Sequence, residues 1–387
     1  MSKVNFSIFC LMFFALSFGV SAMAALVPSI AIDFGVSPLK AINLTWLYML
    51  PYGLGALIWP TLTRVVKVKN LLLYTAGGFC FSAILFGLSP SLNKAFIFRF
   101  FMGCFGCSFV PLALITVGKT VPAVKKGKYI GILFGLSYVS TLISVFLSGF
   151  FSWRIIYLIP ALLSAAAIIL IILHLNDFDF RSQKFSLSYL GTLRDKQALK
   201  FFTVIALASF FYHSLQQRLG LYLSINYNLP QIIISSIFTV SILSATIFEF
   251  TGGFLSQKVG NIKITRLGFI LMSIFVFFLF FINNYRVLFL VIGLWGAGWA
   301  FTHVGLSTHL THFPENILRD SAGLNSSLRF SFGGLGALAG GLLAGSGNFA
   351  FLFAVVGISL FCLGFFLKKA IGQEYTQEGG KYVRVKR

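Results

Sequence analysis

Acidic residues are scarce in this 387-residue chain: 9 Asp and Glu stand against 30 Lys and Arg, and charged residues of both signs together make up only 10%. Soluble domains carry roughly 25%. So little charge cannot cover a water-facing surface, which excludes a soluble enzyme and, despite the net charge of +21, a nucleic-acid-binding module. Cysteine is sparse as well. Cys10, Cys80, Cys104, Cys107 and Cys362 all fall inside apolar runs, so no extracellular disulfide framework follows. Cys104-Phe105-Gly106-Cys107 spells C-x-x-C but lacks the accessible polar setting that redox or metal chemistry requires. Beside Gly103 and Gly106 its thiols read as small packing residues. Glycine-rich nucleotide loops, clustered aspartates and a serine-nucleophile context are also missing, so the sequence indicates no enzyme, no cofactor and no metal.

What is abundant is apolar sequence: 58% of residues are hydrophobic and the mean hydropathy is +0.91. Crossing a bilayer takes about 20 apolar residues per helix. Twelve runs qualify. In the first half they are Phe6 to Ile32, Ala41 to Leu62, Leu71 to Ser89, Ala95 to Val117, Tyr129 to Phe151 and Ile155 to Leu173. The second half adds Leu199 to Ile225, Ile232 to Leu255, Ile264 to Ile282, Val287 to His309, Ala322 to Gly345 and Phe349 to Leu367. Lys3 and the stretch Ser21-Ala22-Met23-Ala24 imitate a cleavable secretory signal, but hydrophobicity continues to Ile32, so the first run is expected to remain as a span.

The predicted fold is therefore an all-α membrane protein with twelve transmembrane helices in two six-helix bundles. The expected domains are an N-terminal bundle over residues 1–175, a linker loop over 176–198, a C-terminal bundle over 199–368 and a basic tail over 369–387. Basic residues alternate from loop to loop. Those on the side of the termini include Lys3, Arg64, Lys67, Lys69, Lys125, Lys126, Arg194, Lys258 and Lys263, whereas the opposite side holds only Lys40, Lys94, Arg154 and Arg286. By the positive-inside rule both termini are expected in the cytoplasm, with the protein in the cell inner (plasma) membrane.

The two halves share punctuation. Pro122 and Gly131 bracket one basic loop, and Pro314 and Gly323 bracket another 192 residues later; Gly149 and Gly341 match at the same offset. Gly253-Phe254-Leu255-Ser256-Gln257-Lys258-Val259-Gly260 is similar to the G-x-L-x-D-[RK]-x-G loop signature of the major facilitator superfamily, with Gln257 in place of aspartate. The first-half copy is worn, keeping Arg64, Lys67 and Lys69. Arg99 and Gly103 resemble the family's R-x-x-x-G motif, and Trp153-Arg154 resembles its tryptophan-arginine pair. The resemblance covers nearly the whole chain. It implies two six-helix halves that move a small solute by alternating access, with spans one, four, seven and ten lining the pathway. The span-five glycine-proline pair of drug antiporters is absent between Ser137 and Ser148.

Ionisable side chains in hydrocarbon are costly and mark function by default. Arg99, Arg218, Glu249 and Arg329 are such residues. Arg218 and Tyr222 share one face by i, i+4 spacing, and His213 with Gln217 shares another. With Arg99, His303 and Arg329 these form the candidate substrate-binding set. Histidine changes charge near neutrality, so His303 is a candidate proton carrier beside Glu249 and Arg99. Glu249 has a rival role as a latch paired with Arg329 or a loop lysine, and Arg64, Gln257 and Lys258 are candidate gating residues. His309 and His312, one turn apart, lack further metal ligands. Gly336 to Gly340 and Gly341 to Gly345 form two G-x-x-x-G pairs expected to pack helices closely.

Three arginines against one glutamate favour an organic anion as the small-molecule substrate, moved in symport or antiport with protons. The alternative is a proton-driven efflux pump for drugs or sugars. The expected partners are substrate, protons and the lipid bilayer, with no nucleic acid and a monomer sufficient.

Overall fold

The computed structural model describes residues 3–175, 181, 189–313, 315–345, 348–371, 375–378 and 381–384. Twelve helices in it are long and apolar enough to cross a membrane. The spans and the short helices between them are, in order through the first half, α1 (Lys3–Ser21), α2 (Met23–Asp33), α3 (Pro38–Ala41), α4 (Asn43–Leu62), α5 (Val68–Gly87), α6 (Leu92–Gly106), α7 (Phe109–Thr120), α8 (Ala123–Leu147) and α9 (Trp153–His174). Then follow α10 (Tyr189–Arg194), α11 (Lys196–Gln216), α12 (Leu219–Tyr227), α13 (Gln231–Val259), α14 (Asn261–Phe278), α15 (Tyr285–Leu310), α16 (Glu315–Ala344) and α17 (Phe349–Ile371). A short antiparallel pair, β1 (Tyr375–Glu378) and β2 (Lys381–Arg384), ends the described chain. Helices satisfy every backbone group internally, which lipid demands. Large apolar side chains such as Leu54, Phe81, Leu162 and Leu342 stay exposed on the helix surfaces, as hydrocarbon solvent permits.

Three expected spans are each two helices. Span one breaks at Ala22, span four at Cys107–Ser108 and span seven at Gln217–Arg218. Pro111 explains the second break, because its ring excludes the carbonyl four residues back, that of Cys107. Span seven also starts earlier than Leu199. Asp195 Oδ1 accepts the N–H groups of Gln197 (3.0 Å) and Ala198 (2.8 Å), capping α11 inside the stretch expected to be linker. Residues 176–180 and 182–188 of that linker lie outside the described residues.

The chain divides into two compact units that depart from the expected boundaries. The first holds Met1–Leu187 and Gln217–Ser236, the second Ser188–Gln216 and Ile237–Arg387. Thus α12 and the first turn of α13 belong with the N-terminal half. The reason is local packing within that unit: a Cβ at Gly220 would overlap the Ala24 carbonyl, Gln231 Nε2 donates to the Ala25 carbonyl at 2.9 Å, and the hydroxyls of Ser148 and Ser235 lie 2.9 Å apart.

Each unit repeats one packing motif. In the first, the hydroxyls of Ser17 on α1 and Ser137 on α8 bond to each other, and Ser144 Oγ donates to the Phe18 carbonyl at 2.7 Å. In the second, 192 residues later, Ser209 Oγ on α11 donates to the Arg329 carbonyl on α16 at 2.6 Å, and Gly336 abuts the Phe210 carbonyl. The residue types have diverged while the helix register has not. Of the two G-x-x-x-G pairs, Gly336 and Gly340 make the close approach, against the carbonyls of Phe210 and Ser214, whereas Gly345 ends the helix at φ +50°.

Candidate functional site

Within the second unit, four helices bring ionisable and aromatic side chains to one place. Ser241 on α13 receives Gly296 of α15, and Gly252 on α13 receives Phe301 and Val304, with no room for a Cβ at either glycine. This tight crossing sets Glu249 of α13 against His303 of α15, with Nδ1 and Oε1 2.6 Å apart. Their side chains are 32% (His303) and 19% (Glu249) exposed, so the pair is neither sealed in the core nor spread on the surface. One turn back from His303, the Trp299 ring centre lies 6.1 Å from the imidazole and stacks on Tyr212 of α11 at 3.8 Å. Tyr212 stacks in turn on Trp295 at 4.6 Å. Arg329 of α16 sets its guanidinium 5.9 Å from the Trp299 ring centre, and its Nε donates to Asn325 Oδ1 at 2.8 Å. His213 meets Trp299 edge-on at 6.0 Å.

This arrangement corrects one expectation directly. Glu249 pairs with His303, not with Arg329 or a loop lysine; Arg329 is held instead by Asn325 and its stack with Trp299. Proximity to His303 follows from the glycines of the α13–α15 crossing, which a charge count along the chain does not show.

The other candidates divide between the two units. His213 belongs to the second unit, whereas Gln217, Arg218 and Tyr222 belong to the first. Arg218 caps α12, with its carbonyl accepting the Tyr222 N–H at 2.9 Å, and the Tyr222 hydroxyl lies 3.2 Å from that of Tyr227. The break at Gln217–Arg218 therefore separates the two helical faces that spacing alone joins. Arg99 is enclosed in the first unit, 1% exposed. Arg64 is half-buried after α4, Lys258 is exposed, and the Gln257 side chain lies outside the described residues. Cys107 packs against Gly55, where a Cβ would overlap its Sγ. Among the described residues no group of three or more metal-ligating side chains occurs.

Sequence reading missed Tyr212, Trp295, Trp299 and Asn325. The signal was available: Trp295, Trp299 and His303 recur every fourth residue, one stripe of a helix.

Twelve apolar spans among the described residues, with a carboxylate, imidazoles and a guanidinium gathered inside the second unit, define a polytopic membrane protein. The sequence model of the Major Facilitator Superfamily matches residues 9–337, and the chain belongs to that family. It is 27% identical over 142 residues to Multidrug resistance protein 3 of Bacillus subtilis, covering 35% of this chain and 28% of that protein. It is 26% identical over 202 residues to the uncharacterized transporter mfc1 of Schizosaccharomyces pombe, covering 51% of this chain and 39% of that one. The matches thus span well under half of either relative's length. Among solved structures, the nucleoside transporter NupG aligns with a TM-score of 0.77 at 15% identity, over 96% of this chain and 100% of that one. A D-xylose-proton symporter aligns at 0.76 and 13% identity, over 95% and 98%. At these identities the likeness is one of fold.

Proposed function

We propose that this protein is a proton-coupled secondary transporter that carries a small organic anion through the inner membrane by alternating access, with both termini in the cytoplasm. The observation that carries this reading is the Glu249–His303 pair. A carboxylate and an imidazole at hydrogen-bond distance, both partly accessible at mid-helix, can hold one proton between them and release it when the surroundings change side. Trp299 and Arg329 beside the pair supply a flat apolar surface and a cation, which suits a substrate with an apolar body and a carboxylate or phosphate head.

Purified protein in vesicles tests this: saturable anion uptake should rise when the outside is made more acidic than the lumen. Uptake indifferent to the pH gradient would overturn the coupling. Arg329→Gln is expected to raise the KM for the anion by about tenfold or more, since a charged hydrogen bond contributes roughly 1.5–3 kcal/mol, with the maximal rate less affected. A neutral analogue of the same shape should show no such change.

A second reading, proton-driven efflux of drugs, is favoured by the similarity to Multidrug resistance protein 3. Substrate expelled from vesicles in exchange for entering protons would select it over uptake.

A further inference from the structure

The first unit contains a charge that the transport reading does not use. Arg99 on α6 is 1% exposed, and its guanidinium carbon lies 4.3 Å from the ring centre of Tyr48, 5.0 Å from that of Tyr157 and 5.6 Å from that of Phe86. Nη1 donates to the Gly19 carbonyl at 3.0 Å, near the C-terminal end of α1, where the helix dipole is negative. Those contacts stabilise the cation in part. Among the described residues no carboxylate pairs with it: Asp33 holds Arg154 at 2.8 Å and Glu249 holds His303.

Hydrogen bonding is incomplete on the same residues. Arg99 Nε, the Tyr48 hydroxyl and the Tyr157 hydroxyl are all buried with no partner. Arg99 and the two tyrosines whose rings flank its guanidinium thus each keep an unused N–H or O–H. Buried donors are almost always satisfied, and a buried charge is ordinarily paired. Water would bring two protons that need acceptors of their own, and it carries no charge. An anion accepts from every donor and also neutralises the guanidinium.

We infer that Arg99, Tyr48 and Tyr157 form a binding site for a small monovalent anion inside the first helical bundle. A halide or the carboxylate of a small acid meets the same chemistry. The site belongs to the first unit and the Glu249–His303 pair to the second, and its occupancy fixes the α6 cation against α1, just before the break at Ala22.

Bromide is the probe. Crystals of the full chain grown in bromide should give an anomalous peak within hydrogen-bond reach of Arg99 Nε. In detergent, the unfolding temperature should rise saturably with chloride or bromide over gluconate at equal ionic strength. A like rise with formate but not with halide would assign the site to carboxylates. Arg99 variants risk misfolding, so the decisive comparison is the double variant Tyr48→Phe, Tyr157→Phe. With an anion bound, this variant loses the anion-dependent rise. With water or nothing there, the parent shows no anion dependence, the bromide peak is absent, and the variant is as stable as the parent or more so in both salts, which overturns the proposal.

Discussion

Glu249→Gln is expected to abolish proton-driven accumulation while leaving exchange of substrate across the membrane intact. With one proton carried per substrate, a gradient of one pH unit supplies about 1.4 kcal/mol, enough for roughly tenfold accumulation. Glutamine keeps the size of Glu249 and can still bond to His303 Nδ1 across the 2.6 Å contact, but it cannot take up or give back a proton. The accumulation ratio should therefore fall from about ten to about one under that gradient. Counterflow of labelled substrate against unlabelled needs no net proton movement and should survive. His303→Gln should behave in the same way. Full accumulation in either variant would remove the pair from the coupling mechanism, and loss of counterflow as well would point to damaged architecture.

Gly336→Ala and Gly340→Ala are expected to be among the most destabilising single-methyl changes in the chain. A Cβ at either position would overlap a backbone carbonyl of α11, that of Phe210 or Ser214. Backbone in a helix cannot step aside as a flexible side chain can, so α16 must move away from α11. That movement would also carry Arg329 from its place over Trp299 and weaken the Ser209 bond. Overpacking of this kind costs about 1–3 kcal/mol or more. Gly135→Ala on α8, where nothing lies within 4 Å of the added carbon, is the control and should be near neutral. Thermal unfolding in detergent separates the two cases; equal behaviour of Gly336→Ala and Gly135→Ala would contradict the packing described.

Much of the architecture was legible because bilayer physics acts on composition directly. A run of about twenty apolar residues has only one economical conformation in lipid, so twelve spans could be counted without any contact being known. The candidate site was legible in part. Glu249, His303 and Arg329 stand out as ionisable residues in apolar sequence, and they do gather in the second unit. Arg218 stands out equally, yet belongs to the other unit, because the break at Gln217–Arg218 ends the helical periodicity on which its grouping with His213 depended. Trp299 lies on a legible stripe with Trp295 and His303, but its stacking partner Tyr212 comes from another helix, and nothing local singles it out among 13 tyrosines.

The sequence by itself determined that this is a membrane protein of twelve helices, built twice on one plan and belonging in its motifs to a transporter family. Tertiary structure alone decided which charges meet. Hydrophobicity is a property each residue carries wherever it sits, whereas a pairing such as Glu249 with His303 depends on glycines elsewhere letting two helices close to within a carbonyl's width.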